Sequence, residues 1–205
     1  MKVDVVLLTL NSAKPALREC LQSLEREVPV DRLIVVDGGS TDATLDVCRE
    51  YFPNCEIIMD VSGNRATSRQ KGIETVESEW FLFLDSDVVL RSKWFSEATQ
   101  SINRKVGAVQ GVTVQIDPVI RDFDNAMRRL RRMFGTYTYK PFLASTNRGF
   151  TGQVLIRTDA VRDIHIPNLL HHWEDHYIKE WVENNGYLWI RCVTALCDHY
   201  VTERS

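Results

Sequence analysis

Residues 80–90 read WFLFLDSDVVL, and this stretch decides how the chain folds. Its first five residues are all large and apolar, which is typical of a strand covered on both faces in a parallel sheet. The run ends in two aspartates, Asp85 and Asp87, with Ser86 between them. In open parallel sheets, ligands bind beyond the carboxyl ends of the strands. The stretch therefore predicts a buried strand that delivers two carboxylates to a binding crevice.

Apolar runs of the same kind occur elsewhere in the chain, each bounded by turn-forming residues. They span residues 2–8, 32–37, 55–60, 106–114, 152–157 and 187–195. Between the early runs, apolar residues recur at helical spacing, for example at Leu17, Leu21 and Leu24. Strands that alternate with helices through about residue 105 predict βαβ units. The predicted fold class is therefore α/β, with a mostly parallel central sheet flanked by helices.

The second half of the chain has a different pattern. A helix-like segment covers residues 118–134, a loop rich in Gly, Tyr and Phe follows to Gly152, and a further helix is predicted from Trp173 to Asn185. No internal repeat, low-complexity tract or linker divides the 205 residues. A length prior of roughly 150 residues per domain also favours one domain. We therefore expect a single domain over residues 1–205, with halves 1–105 and 106–205 that share one sheet.

The composition is that of an ordinary globular protein. A formal net charge of −3 gives no reason to expect nucleic acid as a partner. The five cysteines include no CxxC pair, and their odd number argues against a secreted disulfide framework. The N-terminal apolar run is too short for a signal peptide or a membrane span. Together these features favour a reducing, cytoplasmic setting.

Polar residues follow three of the early predicted strands. Asn11 follows the first, Asp37 the second, and Asp85, Ser86 and Asp87 the fourth. If these strands are neighbours, their polar side chains converge on one crevice. The two carboxylates one residue apart suit a hard divalent cation that keeps open positions for substrate phosphates. The pattern therefore predicts a phosphate-binding crevice that also binds metal.

The loop after the second strand reads DGGSTD at residues 37–42. Its two glycines permit backbone conformations closed to other residues and allow a ligand to approach closely. Asp37 is expected to accept hydrogen bonds from a base or ribose. Ser40 or Thr41 is expected to cap the helix that follows.

At this point the chain resembles glycosyltransferase family 2, the inverting enzymes of GT-A fold. The resemblance rests on a set of motifs that occur in the family's order and cover almost the whole chain. They are LLTLNSA near the start, VVDGGSTDAT at 35–44, NRATSRQKGI at 64–73, LFLDSD at 82–87, TGQVLIRTDAV at 151–161, HWEDHYIKEWVENNGY at 172–187, and Asp198-His199. The combination is far more specific than any single motif.

The resemblance implies a nucleoside-diphosphate-sugar donor and a role for each matching residue. It implies that Thr9, Asn11 and Asp37 line the nucleotide pocket in a nucleotide-sugar-binding half, residues 1–105. It implies that Arg69 reaches the base or diphosphate, that Asp85 binds the ribose beside Ser86, and that Asp87 binds Mn²⁺ or Mg²⁺. His199 resembles the late histidine that supplies a further metal or diphosphate contact. The second half, residues 106–205, is then the acceptor-facing half.

Two positions depart from the family pattern. Gly38 stands where the family often has a second acidic residue, so one nucleotide contact is either missing or made by backbone. Gln70 stands where an asparagine often follows the arginine at position 69. Both departures leave the donor's identity open.

The acidic pair Glu174-Asp175 lies at the start of the last predicted helix. The positive end of a helix dipole favours an ionised carboxylate by roughly 0.3–1 kcal/mol. Helical spacing does not separate the two residues, because both share a stripe with Ile178. The resemblance implies that one of them is the catalytic base, and that the aspartate, Asp175, is the usual one.

A basic segment stands apart from these motifs. Arg121, Arg128, Arg129, Arg131 and Arg132 accompany apolar residues at helical spacing. Such a pattern is typical of a solvated helix face, and it also suits an anionic lipid surface or a lipid-linked acceptor. A peripheral position at the cytoplasmic face of a membrane and a glycan or lipid-linked acceptor are therefore expected alternatives.

Two other functions fit parts of the sequence. A non-catalytic sugar-nucleotide-binding module would retain the fold, but it would not need both Asp87 and Asp175. A phosphatase of the haloacid dehalogenase type also has a strand that ends in Asp-x-Asp. That fold would need its nucleophile strand first and a later strand with paired acidic residues, and the sequence shows neither.

Overall fold

The computed structural model describes residues 1–115, 143–145 and 149–200. Within these ranges the strands are β1 Val3–Thr9, β2 Val30–Asp37, β3 Glu56–Met59, β4 Trp80–Asp85, β5 Val88–Leu90, β6 Val106–Gln115, β7 Leu143–Ser145, β8 Gln153–Arg157 and β9 Leu188–His199. The helices are α1 Leu17–Glu27, α2 Thr44–Tyr51, α3 Arg65–Thr75, α4 Trp94–Thr99, α5 Thr158–Val161 and α6 Glu174–Asn184. Each of the seven predicted apolar runs corresponds to one of these strands.

All the described strands join one sheet, in the order β3-β2-β1-β4-β8-β6-β9-β5, with β7 paired to β9. The first four strands are parallel, as expected from their alternation with helices. The sheet as a whole is mixed rather than mostly parallel, because β8 runs antiparallel to both β4 and β6. The apolar run of β8 could not show this, since buried strands of either direction have the same continuous apolar pattern.

The sheet is covered on both faces, as the unbroken apolar strands require. Successive side chains of a strand point to opposite faces. Leu82 and Leu84 accordingly join one core cluster, which includes residues of α1, α2 and α4. Phe81 and Phe83 join the other, with residues of α3, α5 and α6. This three-layer arrangement leaves the carboxyl ends of the strands as the open edge.

The cap expected at Ser40 or Thr41 is wrong. Helix α2 begins at Thr44, and neither residue caps it. The carboxylate of Asp42 accepts a hydrogen bond from the Thr44 amide at 3.0 Å, while the Ser40 hydroxyl donates to Asp37. Ser40 is not free to cap the helix, because both its hydroxyl and its amide donate to the Asp37 carboxylate. The N-cap residue is Ala43, which makes no side-chain cap hydrogen bond.

Two further predictions concern the basic segment and membrane-spanning helices. The basic segment with Arg121 and Arg128–Arg132 lies outside the described residues, as do the whole predicted 118–134 helix and most of the loop that follows it. Among the described residues, no helix is both long and apolar enough to cross a membrane.

Candidate active site

The carboxyl ends of β1, β2 and β4 meet at one level of the sheet. Thr9 pairs with Asp37, and Leu8 pairs with Asp85. A cavity of about 800 Å³ opens beyond these ends. Its lining includes Thr9, Leu10, Asn11, Ser12, Lys14, Gly38, Asp60, Asn64, Arg65, Ser68, Arg69, Asp85, Ser86, Asp87, His171 and His172. The predicted crevice is therefore present, and six of the ten predicted site residues line it.

Asp37 orders the loop after β2 from within the protein. It is fully buried, and its carboxylate accepts hydrogen bonds from the Thr9 and Ser40 hydroxyls and from the Gly39 and Ser40 amides at 2.6–2.9 Å. Burial opposes ionisation of Asp37, but these hydrogen bonds outweigh it and lower its pKa. In this structure the carboxylate faces protein groups, and its contact with a base or ribose stays a prediction. Asp37 shapes the pocket wall through Thr9 and Gly38, which do line the cavity.

Asn11, in the loop after β1, has an unusual backbone conformation. Its φ of 48° lies in the left-handed region, which asparagine tolerates better than most residues. Its side-chain oxygen accepts a hydrogen bond from the backbone amide of Thr41 at 2.9 Å, and its backbone amide donates to the Ser40 hydroxyl at 2.8 Å. The loops after β1 and β2 thus hold each other in place beside the cavity.

Arg69 joins the two acidic groups that the sequence places far apart. Its Nη2 lies 3.2 Å from Asp85 Oδ1, and its Nε lies 3.6 Å from Glu174 Oε1. The guanidinium is only 4% exposed and stacks 5.1 Å from the ring centroid of Phe83. Among the described residues, its Nε and Nη1 have no hydrogen-bond partner. A buried cation with unused donors at a cavity wall suits an anionic or hydroxyl-bearing ligand.

Glu174 and Asp175 open helix α6, as predicted, and both are buried at 4% and 8% exposure. Burial raises the pKa of Glu174, and the nearby Arg69 only partly offsets this. Asp175 Oδ1 accepts a hydrogen bond from the His176 amide at 2.7 Å. The structure thus distinguishes the two carboxylates, which helical spacing could not do, because it is Glu174 that contacts Arg69.

Asp87 and His199 come together although they lie at distant points of the chain. Antiparallel pairing of β5 with the end of β9 sets Val88 opposite His199. His199 Nε2 lies 3.4 Å from Asp87 Oδ2. The hydrogen bond to Asp87 raises the pKa of His199 despite its burial. The short strand β5 was not predicted, yet it is what brings this pair into contact.

The donor set at Asp87 fits a divalent cation shared with a substrate. No group of three or more His, Cys, Asp or Glu side chains in the described part of the chain is arranged to bind a metal. Asp87 and His199 together offer one carboxylate and one imidazole at the cavity edge. Mg²⁺ and similar ions are commonly bound by one or two carboxylates together with substrate phosphates. Asp87 and His199 therefore fit an ion completed by a diphosphate.

Several residues of the cavity were missed from the sequence. Asp60 follows β3 directly, so the strand-end rule that found the other aspartates applies to it too. Its carboxylate accepts hydrogen bonds from the Thr67 and Ser68 hydroxyls at 2.7 Å and pairs with Lys71 at 2.8 Å, which anchors the start of α3. Burial opposes ionisation of Asp60, but these contacts lower its pKa.

Four basic side chains also line the cavity without having been predicted. They are Lys14, Arg65, His171 and His172. The adjacent histidines immediately before the Trp-Glu-Asp sequence were a usable signal. The two other residues were recognisable only once α3 and the loop after β1 were placed side by side.

Gly152 supports Asp85 by leaving space for it. A Cβ atom at Gly152 would stand 2.6 Å from Asp85 Oδ2 and 2.6 Å from Phe150 Cζ, both closer than real contacts allow. We expect Gly152→Ala to displace the Asp85 carboxylate and weaken nucleoside diphosphate binding about tenfold, the worth of roughly one charge-assisted hydrogen bond. Isothermal titration calorimetry measures this affinity.

Gly186→Ala is the matched control for that substitution. Gly186 has a φ of 83°, but nothing lies within 4 Å of its Cβ position. The control should therefore cost stability through its backbone and leave nucleotide affinity unchanged. Equal affinities for the Gly152 variant and the parent would show that Asp85 is not held by this contact.

Residues 4–164 match the sequence model of Glycosyl transferase family 2. A PGL/p-HBAD biosynthesis glycosyltransferase from Mycobacterium bovis is 35% identical over 89 residues, which are 41% of this chain and 34% of that protein. A poly(ribitol-phosphate) beta-glucosyltransferase from Bacillus spizizenii is 31% identical over 126 residues, 55% of this chain and 20% of that protein. The chain thus spans about a third or less of the length of these relatives.

The three-dimensional comparison agrees with the family match. The mannosyltransferase PcManGT from Pyrobaculum calidifontis, solved in complex with GDP-Man and Mn²⁺, aligns with a TM-score of 0.73 at 21% identity. The alignment covers 99% of this chain and 58% of that one. At this identity the likeness establishes the fold. The chain therefore belongs to glycosyl transferase family 2, and its α/β structure is the GT-A fold of that family.

Proposed function

We propose that this chain transfers a sugar from a nucleoside-diphosphate sugar to an acceptor, with a divalent cation bound at Asp87 and with inversion at the anomeric carbon. The observation that carries the proposal is the cavity that Asp85, Asp87 and Arg69 line together, with Arg69 in contact with Asp85. Arg69 is in turn paired with Glu174, the neighbour of Asp175. One buried side chain thereby links Asp85, at the expected donor site, to the residue next to the expected base.

The first half of the chain, residues 1–105, supplies the donor site in this proposal. Thr9, Asn11, Asp85 and Ser86 line the cavity where the nucleotide is expected, and Arg69 offers its unused donors there. A Mn²⁺ or Mg²⁺ ion at Asp87 and His199 would neutralise charge on the departing diphosphate. The related fold of PcManGT, solved with GDP-Man and Mn²⁺, supports this part.

The second half, residues 106–205, supplies the acceptor side. Asp175 accepts the proton of the acceptor hydroxyl, while Glu174 holds Arg69 in place. Attack from the side opposite the leaving diphosphate inverts the anomeric centre. This division assigns the two neighbouring carboxylates different tasks, since Glu174 lies 3.6 Å from Arg69 Nε.

A thermal-shift screen followed by a product assay tests the proposed function. UDP-, GDP- and dTDP-sugars should be compared with and without Mn²⁺ or Mg²⁺, and the stabilising donor should then release its nucleoside diphosphate when an acceptor is added. Donor binding without any release would favour a sugar-nucleotide-binding module. Hydrolysis of phosphomonoesters instead would favour the phosphatase.

We further propose that the acceptor is anionic. Arg65 is exposed and lines the cavity, and no described carboxylate forms an ion pair with it. Burial raises the pKa of Glu174, and the charge of Arg65 is near enough to offset a small part of that rise. His171 and His172 line the same cavity. The relative named for poly(ribitol-phosphate) supports a phosphate-bearing acceptor. A glycan or lipid-linked phosphate, and a membrane-surface role for the Arg128–Arg132 segment at the cytoplasmic face, remain parts of this proposal that rest on sequence.

Arg65→Gln tests the anionic acceptor. Loss of one charge-assisted hydrogen bond should raise the KM for poly(ribitol phosphate) about tenfold and leave donor affinity unchanged. Arg49→Gln is the control, because Arg49 is an exposed arginine of α2 that pairs with Asp46. An unchanged KM in the Arg65 variant would show that this cation does not bind the acceptor.

A further inference from the structure

Gln70 connects helix α3 to a segment almost a hundred residues further along the chain. Its Nε2 donates to the carbonyl of Ile164 at 3.1 Å, and its Oε1 accepts from the amide of Ile166 at 2.9 Å. Both ends of one side-chain amide are thus used on the backbone of a single segment. We call residues 164–173, which link α5 to α6, the linking segment.

Helix α3 contacts the linking segment and its end at two further points. Asn64, the N-cap of α3, donates from Nδ2 to the carbonyl of Asn168 at 2.9 Å while its oxygen caps the helix. Arg69 pairs with Glu174, the first residue after the linking segment. One helix therefore binds this stretch near its beginning, near its middle and at its end.

These polar contacts matter because apolar packing holds only part of the linking segment. Ile164 and Ile166 are buried at 4% and 0% exposure. Further along, Leu169 is 86% exposed and Trp173 is 59% exposed. The hydrogen bonds of Gln70 act at the last fully buried residue before the chain turns toward Glu174 and Asp175.

We infer that Gln70 is a positioning residue for the transfer reaction, which sets the linking segment so that Glu174 and Asp175 stand beside Arg69 and the donor. The inference rests on the proposed glycosyl transfer. Gln70 itself is absent from the cavity lining, so it does not select the donor. An asparagine at this position is one methylene shorter and cannot span to both backbone groups at the observed distances.

The experiment combines hydrogen exchange with kinetics on three variants. Gln70→Leu removes both hydrogen bonds to the linking segment, together with the one to Glu74, at similar volume. Gln70→Asn keeps the amide but shortens its reach. Both should speed exchange of the Ile166 amide by about tenfold or more, and both should lower kcat about tenfold with the donor Kd within about twofold of the parent. Glu74→Gln is the control on the same helix, because it keeps an oxygen for the Gln70 amide.

Each outcome decides the inference. Unchanged Ile166 exchange in Gln70→Leu would overturn the contact itself. Faster exchange with unchanged kcat would reduce Gln70 to a structural role, and full activity in Gln70→Asn would overturn the argument from reach. If Gln70→Leu fails to fold, Gln70→Asn carries the test. Absence of any transfer by the parent protein would instead overturn the proposed function, while exchange would still report on the contact.

Discussion

Asp175→Asn is expected to lower turnover on the order of 10²-fold or more while donor affinity stays near that of the parent. The substitution keeps the shape of the side chain and removes the proton acceptor. Asp175 lies in the first turn of α6, directly after Glu174. Steady-state kinetics and calorimetry with the donor measure the two quantities separately.

Glu174→Gln should give a different signature. Glu174 is paired with Arg69, and Arg69 also contacts Asp85 at the donor end of the cavity. Removing the charge of Glu174 leaves Arg69 with one partner fewer, so donor affinity should fall and turnover should fall less than in the Asp175 variant. The opposite ranking would make Glu174 the base. No loss of turnover in either variant would reject the proposed mechanism.

Asp87→Asn is expected to abolish most of the metal dependence of nucleotide binding. In the parent, a diphosphate that enters the cavity meets the carboxylates of Asp85 and Asp87 unless a cation intervenes. The variant should bind nucleoside diphosphate on the order of 10²-fold more weakly in Mn²⁺, since the carboxylate proposed to bind the metal is lost. Its affinity without metal should not fall, because one negative charge is gone.

Two further variants make the test of metal binding at Asp87 more specific. His199→Gln should weaken metal-dependent binding in the same direction, because His199 Nε2 lies 3.4 Å from Asp87 Oδ2. Asp159→Asn removes a carboxylate at the surface that pairs with Arg162, and it should change nothing. Calorimetry that gives one affinity with and without metal, in the parent and in the Asp87 variant alike, would remove the metal from Asp87.

The positions of the strands could be read from the sequence because buried strands are runs of apolar residues. Trp80–Asp85 was predicted and is observed as β4. The three-residue strands β5 and β7 were missed, since such short runs carry no periodic signal. The strand-end rule found Asp85 and Asp87 for a physical reason, namely that parallel strands present their carboxyl ends at one edge. The same rule applied to β3 would have found Asp60.

The roles of individual polar residues could not be read in this way. Asp37 stands at the expected place, but whether its oxygens face a ligand or the protein depends on Thr9, Gly39 and Ser40 around it. In the sequence, Gln70 is a departure from the family pattern that leaves the donor's identity open. Its side chain instead holds Ile164 and Ile166. Hydrogen-bond partners distant in sequence decide both cases.

The sequence by itself determined the family, the alternation of strands and helices, and the residue types available for chemistry, because each of these follows from local pattern and motif order. Only the tertiary structure decided which of those residues act together. Arg69 contacts Glu174, and Asp87 contacts His199, although each pair lies about a hundred residues apart in the sequence. The order of the strands and the antiparallel pairing of β9 with β5 bring these residues together. Such contacts depend on how the elements pack, and packing is set by the whole core rather than by any one stretch of sequence.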